Sequence, residues 1–281
     1  MRFVKALLYS LAFVGIYIFM QLIFSIIFLI PMMFTPANLK AIQDFNTDVI
    51  INLSTIATVY SLPFCIIATF FIYVLIFKLR RISFKKALYL NKVKPSTILL
   101  SIGFSICFYP LISMLADFLT KFYPSFDMIQ NTFSDMFRIS VPFSILYICF
   151  MGPIMEEIIT RGLVFNEIKI SSNFIIAILI QALLFGAMHL NMVQGIYAFV
   201  LGVTYGIFRE KFNSLIIAFV CHIVNNSYSI FLSYLPEQIV NKYLLSNAFT
   251  IISIVLLVAF SVMLYFNYKK HYKQIYPRTV F

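Results

Sequence analysis

The sequence predicts an all-α, polytopic membrane protein, and three observations carry that reading. The 281 residues are 62% hydrophobic and only 11% charged, whereas a soluble domain is about half apolar and a quarter charged. Mean hydropathy is +0.97. Apolar runs long enough to cross a hydrocarbon core of about 30 Å, which takes roughly 20 helical residues, recur along the whole chain. They predict about eight transmembrane helices, over residues 6–33, 49–77, 96–116, 141–165, 174–190, 193–208, 214–235 and 246–268. The run 193–208 is the shortest of them.

The net charge of +11 does not point to nucleic acid, because the positive residues are sorted to one side. If the N-terminus is cytoplasmic, the inner segments hold 16 of the 21 Lys and Arg, among them Arg2, Lys5, Arg80, Lys92, Lys169, Arg209 and Lys270. The outer segments hold Lys40, Lys121, Arg138 and Lys242, and Arg161 lies inside a span. The positive-inside rule therefore places both termini in the cytoplasm. The first apolar run is too long for the core of a secretory signal and no A-x-A site follows, so it reads as a retained helix. Cys65, Cys107, Cys149 and Cys221 all fall in predicted spans without C-x-x-C pairing. They read as small packing residues, not as a disulfide framework or a thiolate zinc site.

No internal repeat or soluble domain is visible. The connection "KLRRISFKKALYLNKVK", residues 78–94, carries seven positives and no acid and reads as a topogenic loop. The alternative is an amphipathic helix on anionic lipid, with Phe84, Leu88 and Leu90 reaching the interface. On the outer side, "DFLTKFYPSFDMIQNTFSDMFR", residues 117–138, reads as an interfacial helix or a gate over a cavity, and the sequence does not choose between them.

Inside the spans almost nothing is ionisable. The exceptions are Glu156, Glu157 and Arg161 in the fourth helix, His189 in the fifth and His222 in the seventh. A charge at the centre of a membrane helix costs roughly 2.5–3.5 kcal/mol on insertion scales, so such residues face a partner or a wet cavity and are functional candidates by default. Glu157 and Arg161 are four apart, stacked on one helix face, and an ion pair there offsets most of the burial cost. Glu156 points about 100° away and has no obvious partner on its own helix. The bland alternative is that both glutamates serve the arginine as a packing device.

"FGAMH" places Phe185 and His189 one turn apart, and "HIVNN" places His222 and Asn226 in the same relation. A lone membrane histidine or asparagine is often only an interhelical hydrogen bonder. Together, His222 and Asn226 can present two donors to one point, which an oxyanion site needs, and Glu156 with His189 can hold and deprotonate a water. At about 1.5 Å per residue, Glu156 lies roughly 14 Å from the inner end of its helix, His222 about 12 Å, Asn226 about 18 Å and His189 about 22 Å. His189 is the outlier, and a re-drawn fifth helix is needed to bring it level. Ala198, Gly202 and Gly206 form a small-residue stripe that lets another helix approach closely.

The order Glu-Glu-x-x-x-Arg, Phe-x-x-x-His and His-x-x-x-Asn, each on its own membrane helix, resembles the CPBP intramembrane proteases. These include the type II CAAX prenyl endopeptidases and the bacteriocin-processing, or Abi, proteins. The resemblance covers about residues 145–232, which would be the catalytic core, preceded by N-terminal helices over 1–144 and followed by a last helix and basic tail over 233–281. It implies that Glu156 and His189 activate the attacking water, that His222 and Asn226 stabilise the oxyanion, and that Glu157 and Arg161 are the orienting pair. It also implies a membrane-associated peptide or protein substrate and residence in a bacterial plasma membrane. The family has been described both as metallo- and as glutamate-type peptidases. The residues leave a zinc site open, since two glutamates and two histidines supply donors, but no H-E-x-x-H helix is present, and the reading leans to a metal-independent glutamate and water mechanism.

Two other classes compete. A proton-coupled transporter also uses intramembrane Glu and His, yet carriers often repeat their polar breaks in both halves, and here the ionisable set is confined to helices four to seven. A non-catalytic bacteriocin self-immunity or peptide-binding protein would keep the fold, and the intact motifs argue against it.

Overall fold

In hydrocarbon every backbone N–H and C=O must find its partner inside the segment or barrel that carries it, so a chain this apolar is helical wherever it is buried. The computed structural model describes residues 2–123, 134–240 and 246–271, which are helical without a strand. The helices are α1 (Arg2–Met33), α2 (Pro36–Gln43), α3 (Thr47–Leu79), α4 (Pro95–Thr120), α5 (Val141–Ser171), α6 (Phe174–Ala187), α7 (Met192–Phe212), α8 (Leu215–Ser233) and α9 (Asn247–His271). Their starts follow from side-chain caps. Asn46, Asn173, Asn191 and Ser214 accept from the backbone N–H of Val49, Ile176, Gln194 and Ile216.

Among the described residues seven helices are long and apolar enough to cross a membrane, and α6 is a shorter apolar helix. These helices make the chain an integral membrane protein. The expected span over 174–190 is thus corrected. Its helix has 14 residues, about 21 Å, whereas the run over 193–208 that looked shortest belongs to a 21-residue helix. The short amphipathic α2, which the sequence reading passed over, is started by Thr35 as cap and Pro36 at its first position.

α5 is the axis of the bundle. Its most apolar stretch is 56% buried, against 17% for α1 and α9. α1 packs on α3, α9 on α4, α8 on α4 and α5, and α6 with α7 forms a hairpin beside α5. Small residues set the hairpin spacing. A Cβ on Gly202 would lie 2.9 Å from Ala182, one on Gly206 2.7 Å from Gln181, and one on Gly186 would meet the backbone of Gly195. Gln181, fully buried, donates to the Gly202 carbonyl across the hairpin at 2.8 Å.

The basic residues gather at one end of the bundle. There Arg80 pairs with Glu167, Lys169 with Glu210 at 2.6 Å, and Lys94 meets His271 at 2.7 Å. The 78–94 connection folds inward against this end. Phe84 packs on Phe70 and Phe77, and Leu88 is buried against Gly162 of α5. The amphipathic lipid-facing alternative therefore fails for these two side chains, because the bundle core offers them a tighter surface than lipid. Residues 124–133 of the outer segment lie outside the described residues, as do Lys242 and the tail beyond 271.

The hairpin geometry generates a prediction. Gly186→Ala forces α6 away from the α7 backbone and should lower stability by about 1–3 kcal/mol. Gly15→Ala, with nothing within 4 Å of its Cβ, should be neutral or stabilising by about 0.5–1 kcal/mol. Thermal midpoints of the two purified variants in detergent check the contrast.

Candidate active site

α5 is not a uniform α-helix. Gly152–Glu157 is α-helical, but Leu146–Met151 before it and Ile158–Val164 after it are π-helical. The Gly152 N–H bonds the Tyr147 carbonyl, five residues back. In that register the next N–H belongs to Pro153, which has none, so the Ile148 carbonyl loses its helical partner. Asn226 of α8 supplies it, donating from Nδ2 to Ile148 O at 2.9 Å. π segments often mark functional sites, and here one of them binds α8 to α5 beside the two glutamates.

The pair expected from spacing is present. Arg161 Nη1 lies 3.0 Å from Glu157 Oε1, and both side chains are fully buried. Arg161 also donates to Thr160 Oγ1 at 2.6 Å. Its remaining face lies over the rings of Phe185 at 4.2 Å and Tyr205 at 5.6 Å, so aromatic faces of α6 and α7 meet the guanidinium where no acceptor does. Glu157 Oε1 is shared. His222 Nδ1 approaches it at 2.8 Å, while His222 Nε2 stands 3.7 Å from Glu156 Oε2. A carboxylate that already pairs with arginine is an acceptor, so Nδ1 carries a proton and Nε2 faces Glu156.

Glu156 differs from its neighbour as the 100° turn requires. Its side chain is 20% exposed and looks into a cavity of about 640 Å³ that His189, His222, Asn226, Tyr147 and Phe185 also line. His189 reaches this level because α6 stops at Ala187. His189 lies in the turn beyond it, with Nδ1 held 2.8 Å from the Phe185 carbonyl, and Leu190 follows in the left-handed region at φ 53°. An exposed leucine is uncommon in that conformation, and local strain of this kind clusters at functional sites. Phe185 stacks edge-on against both His189 and His222, with ring centroids 5.0 and 5.5 Å apart.

All six residues singled out in the sequence therefore meet at one level, although Asn226 is turned toward a backbone carbonyl. Sequence reasoning missed Tyr147, Tyr205 and Phe185 as walls of the site, and it missed the π turns, for which Pro153 was the available signal. It also counted Arg209 among cytoplasmic positives. Arg209 is buried, bonded to Asn166 and set against the rings of Tyr89 and Phe165. Two carboxylates and two imidazoles are zinc-type donors. Among the described residues, however, no three His, Cys, Asp or Glu side chains converge as a metal site. Glu157 Oε1 and the Nδ1 atoms of both histidines are committed to protein partners, and the residues as placed do not fit a bound metal.

The bundle thus sets paired glutamates and histidines at the floor of an internal cavity. Residues 138–228 match the sequence model described as "Type II CAAX prenyl endopeptidase Rce1-like". It is 27% identical over 99 residues to "Putative membrane peptidase YdiL" of Bacillus subtilis (strain 168), an alignment spanning 35% of this chain and 41% of that protein. No solved structure matches.

Two predictions follow from the geometry. Arg161→Ala leaves Glu157 buried without its countercharge and should cost about 3–5 kcal/mol, read as loss of folded protein on size exclusion. Asn226→Ala orphans the Ile148 carbonyl and should cost about 1–3 kcal/mol. In a Pro153→Ala background the restored N–H takes that carbonyl, so the same Asn226→Ala change should then cost measurably less, which a double-mutant cycle resolves.

Proposed function

We propose that this protein is an intramembrane endopeptidase that hydrolyses a peptide bond of a membrane-associated peptide or protein. The observation that carries this reading is the meeting of the Glu156 carboxylate with His189 and His222 at the floor of a cavity of about 640 Å³, while the adjacent Glu157 is engaged through Oε1 by Arg161 and His222. The family match and the peptidase name of the relative favour the same class.

In this mechanism Glu156 takes a proton from a water that His189 helps to hold, and the oxygen attacks the peptide carbonyl carbon. His189 suits the task because Nδ1 is tied to a backbone carbonyl, which leaves Nε2 toward the cavity. The negative charge that develops on the carbonyl oxygen is met by His222, whose imidazolium presents Nε2–H while Nδ1–H stays on Glu157. Asn226 commits one amide hydrogen to Ile148, and its second N–H is the other donor. Glu156 then returns the proton to the leaving nitrogen as the C–N bond breaks. Glu157 and Arg161 position His222 and the glutamate helix without touching substrate. The basic end of the bundle is cytoplasmic in this reading, with both termini on that side.

The test compares peptide termini in membranes from cells carrying wild type or Glu156→Gln at matched amounts of folded protein. Termini that vanish with the glutamine variant are expected. An unchanged pattern overturns the peptidase assignment.

A further inference from the structure

The cavity is one-sided. Its lining comes from residues 109–117 of α4, 147–156 of α5, 194–201 of α7 and 222–233 of α8, with Phe185 and His189 at the end of α6. Each of these helices contributes only the half that lies away from the basic end. α4 and α8 begin at that end and line the cavity with their C-terminal halves. α5 and α7 finish there and line it with their N-terminal halves. Toward the basic end the floor is sealed by fully buried side chains: Glu157, Arg161, Gln181 and Cys221. Toward the other end the walls run out to exposed Asp117, Ser134 and Ser233. His222 to Ser233 alone measures about 16 Å along α8.

The wall is also one-signed. Among the described residues it holds no Lys or Arg, and its carboxylates are Glu156 at the floor and Asp117 near the mouth. The Asp117 carboxylate has no hydrogen-bond or ion-pair partner among the described residues; its backbone carbonyl accepts from Thr120 Oγ1. The remaining lining polar groups, such as Ser113, Tyr109 and Gln194, are neutral.

We infer that the cavity receives its substrate from the face opposite the basic end, and that it takes a peptide segment bearing a cationic side chain or amino terminus, which Asp117 selects. By the sorting of Lys and Arg that face is extracytoplasmic, so the substrate class is an exported or outward-presented peptide. That the bound segment is cut, and not merely held, rests on the peptidase reading. The route and the charge selection rest on the cavity alone.

The experiment labels single cysteines in the full chain, whose four native cysteines are buried. Ser113→Cys lies on the cavity wall one helical turn from Asp117, and Lys92→Cys lies exposed at the basic end. The probes are two membrane-impermeant methanethiosulfonates, cationic trimethylammonium-ethyl and anionic sulfonato-ethyl. Ser113→Cys should react in intact cells, and Lys92→Cys only in inverted vesicles. Normalised to a free thiol, the cationic probe should modify Ser113→Cys several-fold faster than the anionic one, and adding Asp117→Asn should shrink that ratio. Reaction of Ser113→Cys only in inverted vesicles, or in neither preparation, overturns the route. A ratio insensitive to Asp117→Asn overturns the selection. The expected labelling without any Glu156-dependent cleavage leaves the outward cavity standing and removes the peptidase reading, so the two fail separately.

Discussion

The ion pair between Glu157 and Arg161 is the constraint on which the rest of the bundle depends. Two charges at zero exposure are tolerated only when they are paired in good geometry, and the neighbouring helices add further contacts to both. α6 brings the face of Phe185 and α7 that of Tyr205 to the guanidinium. Gly202 of α7 leaves the room, since a Cβ there would sit 3.3 Å from Arg161 Nη2. α8 brings His222 to the carboxylate at 2.8 Å. One pair on α5 therefore fixes the approach of three other helices, which explains why α5 is central and so heavily buried.

The same pair sets the chemistry by setting rotation. Because Glu157 is held by His222 of α8 and Arg161 by the rings of Phe185 and Tyr205, α5 cannot turn about its axis without parting them, and Glu156, one residue earlier, is held toward the cavity. Identical side chains thus acquire opposite environments: one is sealed between Arg161 and His222, and the other is partly open and 3.7 Å from the free edge of the same imidazole. The π turns on either side extend this arrangement. They interrupt the regular ladder, and the carbonyl they release at Ile148 becomes the point where α8 is fastened by Asn226. The site is consequently built on helix interiors and not on loops, with His189 at the tip of a tight reversal as the one exception.

Most of the bundle and the residues of the candidate site were legible because hydropathy and charge are strong signals in a chain of this kind. Seven of the eight apolar runs became helices long enough to span, and the i, i+4 spacing of Glu157 and Arg161 announced their contact. What escaped had physical reasons. Hydropathy reports that a side chain avoids water but not whether it meets lipid or protein, so Phe84 and Leu88 could not be assigned to the core. Arg209 was counted only by its side of the membrane, because burial against aromatic faces leaves no trace in spacing. The end of α6 was overrun because Met188 and Leu190 are as apolar as a helix continuation. Asn226 was read on a 3.6-residue period, which gives no sight of a carbonyl freed by a π register at Pro153.

The two ends of the bundle are held together by interactions of different quality. At the basic end the ties are shielded or bound to backbone. Arg209 bonds Asn166 with almost no exposure, Ser214 and Asn213 are bonded to Asn91 of the 78–94 connection, and Lys169 and Arg209 both reach Glu210. At the far end the ion pair among the described residues is Arg138 with Asp135, on side chains 69% and 36% exposed, and such surface pairs contribute about 0–1 kcal/mol. The cavity walls there are joined by the Tyr109 hydroxyl donating to Ser229 at 3.2 Å and by the Tyr109 and Tyr228 rings. A peptide that enters between helices must part some of them, and the cost is lowest where the ties are exposed and few. The distribution of bonding therefore favours the same mouth as the distribution of cavity-lining residues, and it keeps the Glu157 and Arg161 pair in the half of the bundle that has no need to move.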